Sequence, residues 1–234
     1  MRPRALLTIC RVSNLPTVWM NVLTAGVLAR PEVPVASLPL LAVALSAFYS
    51  GGMTLNDLCD RHADAREQPF RPIPAGRVTV GEAWTATVVL FACGLLLLLL
   101  APHPGAFGWG VLLLAVIVAY DVWHKGNPVS VLLMAGARLL VFVVTGWAVS
   151  GTVEQNVLMA GAAQFSYTLA VTVVARHENT RGRRYEFPVI PIMIAAMAIL
   201  DGVVLAVLIS PRWLLAGLVA ATLTRLGQQY VRGD

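Results

Sequence analysis

The sequence predicts an all-α membrane protein, a polytopic bundle of about eight transmembrane helices with nine as the upper count. Two features of the composition lead to this fold class. Hydrophobic residues make up 58% of the 234 residues and charged residues only 12%, whereas soluble domains have about 45–50% and about 25%. A soluble globule of this size needs more polar residues to cover its surface. The composition therefore excludes an ordinary soluble enzyme, a disordered protein and a nucleic-acid-binding protein.

The third feature is a series of apolar segments, since a helix needs about 20 residues to cross the hydrocarbon core of a bilayer. The predicted spans cover residues 12–29, 35–55, 82–101, 106–122, 129–150, 155–175, 188–209 and 211–228. The last two are alternatively one bent span followed by an interfacial helix. Residues 1–234 are expected to form one transmembrane domain, whose first apolar segment is a retained span rather than a cleaved signal peptide.

The net charge of +5 predicts an orientation, because basic residues collect in cytoplasmic loops. Eight alternating spans place nearly all basic residues on one side of the membrane and leave Arg30 and Arg212 on the other. We expect an integral protein of the plasma membrane, here a bacterial inner membrane, with both termini in the cytoplasm. The two long polar loops, 56–81 and 176–187, are then cytoplasmic.

The first polar loop contains a motif suited to a metal ion. Asn56, Asp60 and Asp64 are spaced by four residues, which on a helix puts three oxygen-bearing side chains on one face. Mg²⁺ binds few protein carboxylates and completes its coordination with water and phosphate oxygens. The pattern therefore predicts Mg²⁺ that joins the protein to a diphosphate. The alternative is a solvated loop whose acidic and basic side chains pair, but carboxylates that emerge directly from a span are costly unless they have a function.

Three parts of the chain resemble the UbiA superfamily of intramembrane prenyltransferases. Residues 56–64, followed by Arg-Pro-Ile-Pro-Ala-Gly at 71–76, are similar to the first aspartate-rich motif of that family. Residues 11–19 resemble the entry to its first helix, and residues 120–128 with Arg138 resemble its central tyrosine and lysine segment. The resemblance implies a bundle of about nine helices around a central cavity, which a lipid diphosphate enters sideways from the bilayer.

The second half of the chain departs from the family pattern. A second aspartate-rich motif is expected near residues 175–182, where Glu178 is the only carboxylate and Asn179 takes the place of an aspartate. The chain is also short and offers eight spans rather than nine. These features resemble the short, EboC-like branch of the superfamily. We therefore expect a hybrid site, in which the first loop binds one metal ion and arginines of the second loop hold the diphosphate.

The spacing, the chemistry of the side chains and the resemblance together suggest roles for individual residues. The expected Mg²⁺ ligands are Asn56, Asp60 and Asp64, and the expected catalytic residues are Asp60, Asp64 and Tyr120. The expected substrate-binding residues are polar or charged: Asn14, Arg66, Arg71, Lys125, Arg138, Glu178 and Arg181. Their alternatives are topology charges, interface aromatics or structural hydrogen-bond partners. For Arg138 the alternative is a pair with Asp201, which lies in another span.

Three functions remain in competition at this point. The first is Mg²⁺-dependent transfer of a prenyl group from a prenyl diphosphate to a hydrophobic or aromatic acceptor. The second is binding or trafficking of a prenyl lipid without chemistry, as one component of a membrane system. The third is transfer of a sugar phosphate to a polyprenyl phosphate. In each case the partners are a prenyl lipid and the bilayer, with no nucleic acid.

Overall fold

The computed structural model describes residues 3–30, 37–125, 127–181 and 187–231, and the side chains of these except 178–181. The described residues form helices and no strands. The α-helices are α1 (Pro3–Ile9), α2 (Leu15–Ala29), α3 (Ser37–Glu67), α4 (Val80–Leu99), α5 (Ala106–Trp123), α6 (Ser130–Ser150), α7 (Gln155–Arg181), α8 (Val189–Leu208) and α9 (Trp213–Tyr230), with one 3₁₀ turn (Val12–Asn14) before α2. The predicted all-α bundle is confirmed.

Among the described residues, seven helical segments are long and apolar enough to cross a membrane by length and composition. They correspond to α2 with its preceding 3₁₀ turn and to α3 through α8. The eighth predicted span corresponds to α9. Its last turns carry Arg225 and Gln228 and are more polar than its first turns. α9 packs closely against α8 and also contacts α2, so it completes the bundle as a partner of α8.

Two helices continue beyond the predicted spans. α3 has 31 residues and is about 46 Å long at 1.5 Å per residue, which exceeds the ~30 Å hydrocarbon core. The polar segment expected to be a loop from residue 56 is therefore helical through Glu67. α7 likewise continues to Arg181, beyond the predicted end at residue 175. This correction places Asn56, Asp60 and Asp64 on one continuous helix.

Glycines allow α3 and α4 to pack closely. A Cβ atom added at Gly51 would lie 2.8 Å from the ring of Phe91, and one added at Gly94 would lie 2.9 Å from the ring of Phe48. Each helix thus presents a phenylalanine to a glycine of the other, and the two ring centroids are 6.2 Å apart. Small residues serve this purpose between membrane helices, because association there depends on close van der Waals packing.

The contact between α8 and α9 is closer still. A Cβ atom added at Gly217 would lie 2.6 Å from the carbonyl oxygen of Ala198 and 2.9 Å from Cα of Gly202. These neighbours are backbone atoms, so a side chain at residue 217 can be accommodated only if the two helices separate. Gly217 therefore fixes the position of α9 in the bundle.

We expect Gly217→Ala to lower the thermal midpoint of the purified protein in detergent by several degrees, because α8 and α9 must move apart. Gly136→Ala is the matched control: it lies within α6, and an added Cβ there meets no atom within 4 Å. Alanine favours a helix over glycine by about 1 kcal/mol, so the control should be neutral or stabilising. Equal midpoints for the two variants would contradict this packing.

Candidate substrate site

A cavity of about 420 Å³ lies inside the bundle, between α2, α3, α5, α6, α7 and α8. Its lining is divided by chemistry. One end is polar and includes Arg11, Asn56, Asp60, Gln68, Arg71, Tyr120, Asp121 and His124. The rest is largely apolar and includes Val18, Leu45, Phe48, Leu113, Ile117, Val141, Val171 and Ile194. A cavity of this kind suits a ligand with a charged head and a hydrocarbon chain.

α3 contributes two of the predicted metal ligands to the polar end. Asn56 and Asp60 are one helical turn apart and both line the cavity. Asp64 is buried, but its Oδ2 accepts a 2.9 Å hydrogen bond from Nη1 of Arg71, and it is not part of the cavity lining. The structure therefore brings two of the three predicted metal ligands to the cavity and pairs the third with an arginine.

Two arginines neutralise the buried carboxylate of Asp57, which the sequence motif did not single out. Nη1 of Arg71 and Nη2 of Arg11 each lie 3.4 Å from Asp57 Oδ1. Arg71 comes from the loop after α3, and its Nε also donates to Oε1 of Gln68 at 3.2 Å. Both arginines line the cavity as well. Since a guanidinium has five N–H donors, it can hold a carboxylate and still donate to a phosphate.

From the sequence, Arg11 is a basic residue of the cytoplasmic side and the first residue of the segment 11–19, with no individual role expected in the site. It lies at the turn between α1 and the 3₁₀ turn, with a left-handed backbone (φ 46°, ψ 47°). Residues other than glycine in this region are uncommon, and such strain clusters at functional sites. Here the turn directs the Arg11 side chain towards Asp57 and the cavity. No sequence pattern predicts the left-handed backbone of Arg11.

The end of α5 meets the acidic face of α3. Lys125 Nζ lies 2.7 Å and His124 Nε2 3.3 Å from Asp60 Oδ1. The hydrogen bond with Asp60 raises the pKa of His124, so the ring stays cationic to higher pH than a free histidine. The Tyr120 ring stacks on His124 with centroids 5.2 Å apart. Two residues with predicted roles, Tyr120 and Lys125, are thus close to the acidic face.

Asp121 is the second residue that sequence reasoning missed. Asn56 Nδ2 donates to its Oδ1 at 3.2 Å, and its other oxygen, Oδ2, is buried without a hydrogen-bond partner in the described part of the chain. An acidic residue at the polar end of an apolar span was the available signal, because such residues are costly in membranes unless they have a function. Within the same segment, the family resemblance suggested roles for Tyr120 and Lys125 but none for Asp121.

Arg138 takes part in a polar network deep in the bundle. Its Nη1 donates to Oδ1 of Asn21 at 2.8 Å, and Nδ2 of Asn21 donates to Oδ2 of Asp201 at 2.6 Å. Gln164 Nε2 donates to Asp201 Oδ1 at 2.8 Å. The predicted connection of Arg138 with Asp201 therefore runs through the amide of Asn21. Arg138 also lines the cavity, so the network fixes a cation beside the apolar part.

The remaining predicted residues have different surroundings. Asn14 lines the cavity, where it donates to Tyr49 Oη at 3.0 Å and accepts from Gln228 of α9, also at 3.0 Å. Arg66 is exposed and outside the cavity lining. Glu178 and Arg181 belong to the last turn of α7, but their side chains lie outside the described part of the structure. Their predicted roles stay predictions.

The oxygen donors at the polar end fit a divalent cation that binds together with a phosphate group. Within the described residues, no three carboxylate, histidine or cysteine groups lie close enough to hold a metal ion on their own. Mg²⁺ does not need such a cage, because one or two carboxylates suffice when water and phosphate oxygens complete the octahedron. The unpartnered Oδ2 of Asp121 is the kind of hard oxygen ligand that such an ion prefers.

Comparison with known proteins agrees with this architecture. A digeranylgeranylglyceryl phosphate synthase from Natronomonas pharaonis is 33% identical over 227 residues, which cover 93% of this chain and 80% of that protein. A protoheme IX farnesyltransferase from Granulibacter bethesdensis is 31% identical over 65% of this chain and 51% of that protein.

The fold also matches solved structures. A UbiA homologue from Archaeoglobus fulgidus bound to GPP and Mg²⁺ superimposes with a TM-score of 0.64, at 16% identity, over 93% of this chain and 86% of that one. The model of the UbiA prenyltransferase family matches residues 14–230, which is nearly the whole helical bundle and includes every helix that lines the cavity. The chain belongs to the UbiA prenyltransferase family.

Proposed function

We propose that this protein transfers a prenyl group from a prenyl diphosphate to a lipophilic acceptor, with Mg²⁺ bound at the polar end of the cavity. The observation that carries this proposal is the division of one cavity into a charged end and an apolar remainder. A prenyl diphosphate has the same division. The family match supports the class of reaction, and the homologue bound to GPP and Mg²⁺ supports the choice of ligand and metal ion.

The charged end has the groups needed to bind a diphosphate. Arg11 and Arg71 line the cavity with guanidinium groups that are already oriented by Asp57. Lys125 contacts Asp60, but its side chain is half exposed, so its ammonium can turn from the carboxylate to a phosphate oxygen. A guanidinium group matches two phosphate oxygens with two parallel N–H donors. These cations would hold the diphosphate against the acidic face of α3.

Asn56 and Asp60 are the residues that would hold Mg²⁺, which when bound neutralises the charge that develops on the leaving diphosphate. In the reaction the bond between C1 of the prenyl group and the diphosphate oxygen breaks. A new bond forms between C1 and a nucleophilic atom of the acceptor, whose proton passes to the released diphosphate or to water. Arg11 and Arg71 are aimed at the place where negative charge accumulates, and such preorganised groups usually supply the largest part of catalysis.

The apolar part of the cavity would shelter the hydrocarbon and the allylic cation. Phe48 and Tyr49 line it beside Leu45, and aromatic faces attract a cation through their quadrupole. Asn14 orients Tyr49 by its hydrogen bond to the phenol oxygen. For Tyr120, which lines the polar end of the cavity, we keep the predicted role near the bond that breaks.

For the acceptor we propose a prenylated glyceryl phosphate. The support is the relative from Natronomonas pharaonis, a digeranylgeranylglyceryl phosphate synthase that aligns with most of this chain. An aromatic acceptor is the second candidate, and the similarity to a protoheme IX farnesyltransferase supports it. A panel containing both acceptors separates them. If no diphosphate were released from any donor in the presence of either acceptor, only lipid binding would remain.

We also propose that the polar end of the bundle faces the cytoplasm at a plasma membrane. The support is the concentration of arginines at that end, among them Arg11, Arg61, Arg66 and Arg71, as the positive-inside rule requires. The bacterial membrane predicted from the sequence stays a prediction, since the similar relatives are mostly archaeal.

Asp60→Asn tests the proposed activity. We expect the purified wild-type protein in liposomes to release diphosphate from geranyl, farnesyl or geranylgeranyl diphosphate in a manner that requires Mg²⁺ and an acceptor. The variant should lose about 10²–10³-fold in kcat, the scale of removing one preorganised electrostatic contact. Glu154→Gln is the control, because this exposed carboxylate lies before α7, at the other end of the bundle. Unchanged release in Asp60→Asn would contradict the proposal.

Ile117→Phe tests whether the apolar region holds the prenyl chain. Ile117 lines the cavity one turn before Asp121, so the larger side chain should shorten the space for hydrocarbon. We expect the kcat/KM ratio of geranylgeranyl to geranyl diphosphate to fall about tenfold or more, as one or two lost methylene contacts imply. Val118→Phe, which changes an exposed neighbour on α5, should leave the ratio unchanged. If the two variants had the same kcat/KM ratio, the prenyl chain would not lie beside Ile117.

A further inference from the structure

The carboxylate of Asp121 lines the cavity and has a hydrogen-bond partner for only one of its two oxygens within the described residues. The residue is only 3% exposed and lines the polar end of the cavity. Its Oδ1 accepts the amide of Asn56 at 3.2 Å, whereas its Oδ2 has no hydrogen-bond partner within the described residues. A buried polar group without a partner is destabilising, and a charged one is more so. Native proteins seldom leave such a group unless a ligand, an ion or an ordered water completes it.

The neighbours of Asp121 are the residues already assigned to the metal ion. His124 connects the two acidic positions, because its Nε2 contacts Asp60 while its Nδ1 lies 3.0 Å from the backbone oxygen of Asp121. The side chains of Asp60 and Asp121 both line the polar end of the cavity, so two carboxylates of like charge face the same space. Two repelling carboxylates beside an amide form a set of hard oxygen donors, and a divalent cation turns this repulsion into attraction.

The cationic side chains nearby are directed at other carboxylates. Lys125 and His124 contact Asp60, and Arg11 and Arg71 contact Asp57. Asp64, the predicted third ligand, is paired with Arg71 at 2.9 Å. Asn56 donates to Asp121 through Nδ2, which leaves the amide oxygen as the atom that can ligate a cation. The geometry therefore favours α5 over the end of α3 as the source of the third ligand.

We propose that Asp121 is a ligand, together with Asn56 and Asp60, of the divalent cation that binds with the diphosphate. α5 would then supply a carboxylate to a site whose second loop contains Glu178 as its only carboxylate within residues 175–182. This inference rests on the proposed function for the identity of the anion, but the ligand set itself can be tested without turnover.

The experiment measures binding of Mn²⁺, as a probe for Mg²⁺, by the loss of its free EPR signal in the presence of inorganic diphosphate. The purified full-length protein in nanodiscs is compared with Asp121→Asn and Asp121→Ala. We expect both variants to raise the Kd for Mn²⁺ at least tenfold, since even partners of metal ligands change affinity 10–100-fold. Asp121→Asn keeps the size of the side chain and an acceptor for Asn56, so its thermal midpoint should match that of the wild type.

Asp201→Asn is the matched control, because it makes the same change at a fully buried carboxylate that does not line the cavity. It should leave the Kd for Mn²⁺ within about twofold of the wild-type value, the scatter that context gives such measurements. Wild-type affinity in both Asp121 variants, with affinity lost in Asp60→Asn, would overturn the role of Asp121 and leave the proposed function intact. If Asp60→Asn also bound Mn²⁺ normally, the proposed metal site as a whole would be wrong.

Discussion

Asp57, Asp60 and Asp64 lie within about two turns of one helix, and a low-dielectric bundle can hold three such charges only with cations beside them. The chain brings these cations from three different places. Arg11 comes from the turn before α2, Arg71 from the loop after α3, and His124 with Lys125 from the end of α5. The polar end of the cavity is therefore assembled by pairing charges across the bundle, and the positions of α1, α3 and α5 depend on it.

The same pairing explains how one cavity can accept both a metal ion and a diphosphate. A guanidinium group has five N–H donors, so a cation such as Arg71, which contacts Asp57 and Asp64, can also donate to a phosphate oxygen. Along α3, the lining of the cavity changes from polar at Asn56 to apolar at Phe48, within about two helical turns. Under the proposed function, the bond between the prenyl chain and the diphosphate would lie where the polar and apolar linings meet.

Much of this was accessible from the sequence, and the omissions have physical reasons. Apolar segments and the four-residue spacing of Asn56, Asp60 and Asp64 predicted the membrane bundle, the family and one acidic face, because helical periodicity is a local property. The pairing of Asp64 with Arg71 depends on how a loop folds back, which no periodicity encodes. The roles of Arg11 and Asp121 depend on a left-handed turn and on contact between α5 and α3, which only the tertiary structure shows.

The most informative departure from the family pattern is the missing second aspartate-rich motif near residues 175–182. The roles of Glu178 and Arg181 in a hybrid site stay predictions. The finer resemblance to the EboC-like branch is also a prediction. If α5 provides the carboxylate that the second loop lacks, the loss of one motif did not require the loss of metal binding. The site would then have exchanged one helix for another as the source of a ligand, with its charge balance preserved.

The most direct test of this account is the position of the metal ion in the assembled site. A crystal structure of the protein with Mn²⁺ and a non-reactive prenyl thiodiphosphate, examined for anomalous scattering, locates the ion without reference to activity. We expect an anomalous peak between Asn56, Asp60 and Asp121, with the prenyl chain extending towards Phe48 and Leu113. A peak beside Asp64 and away from Asp121, or a prenyl chain outside the cavity, would contradict it.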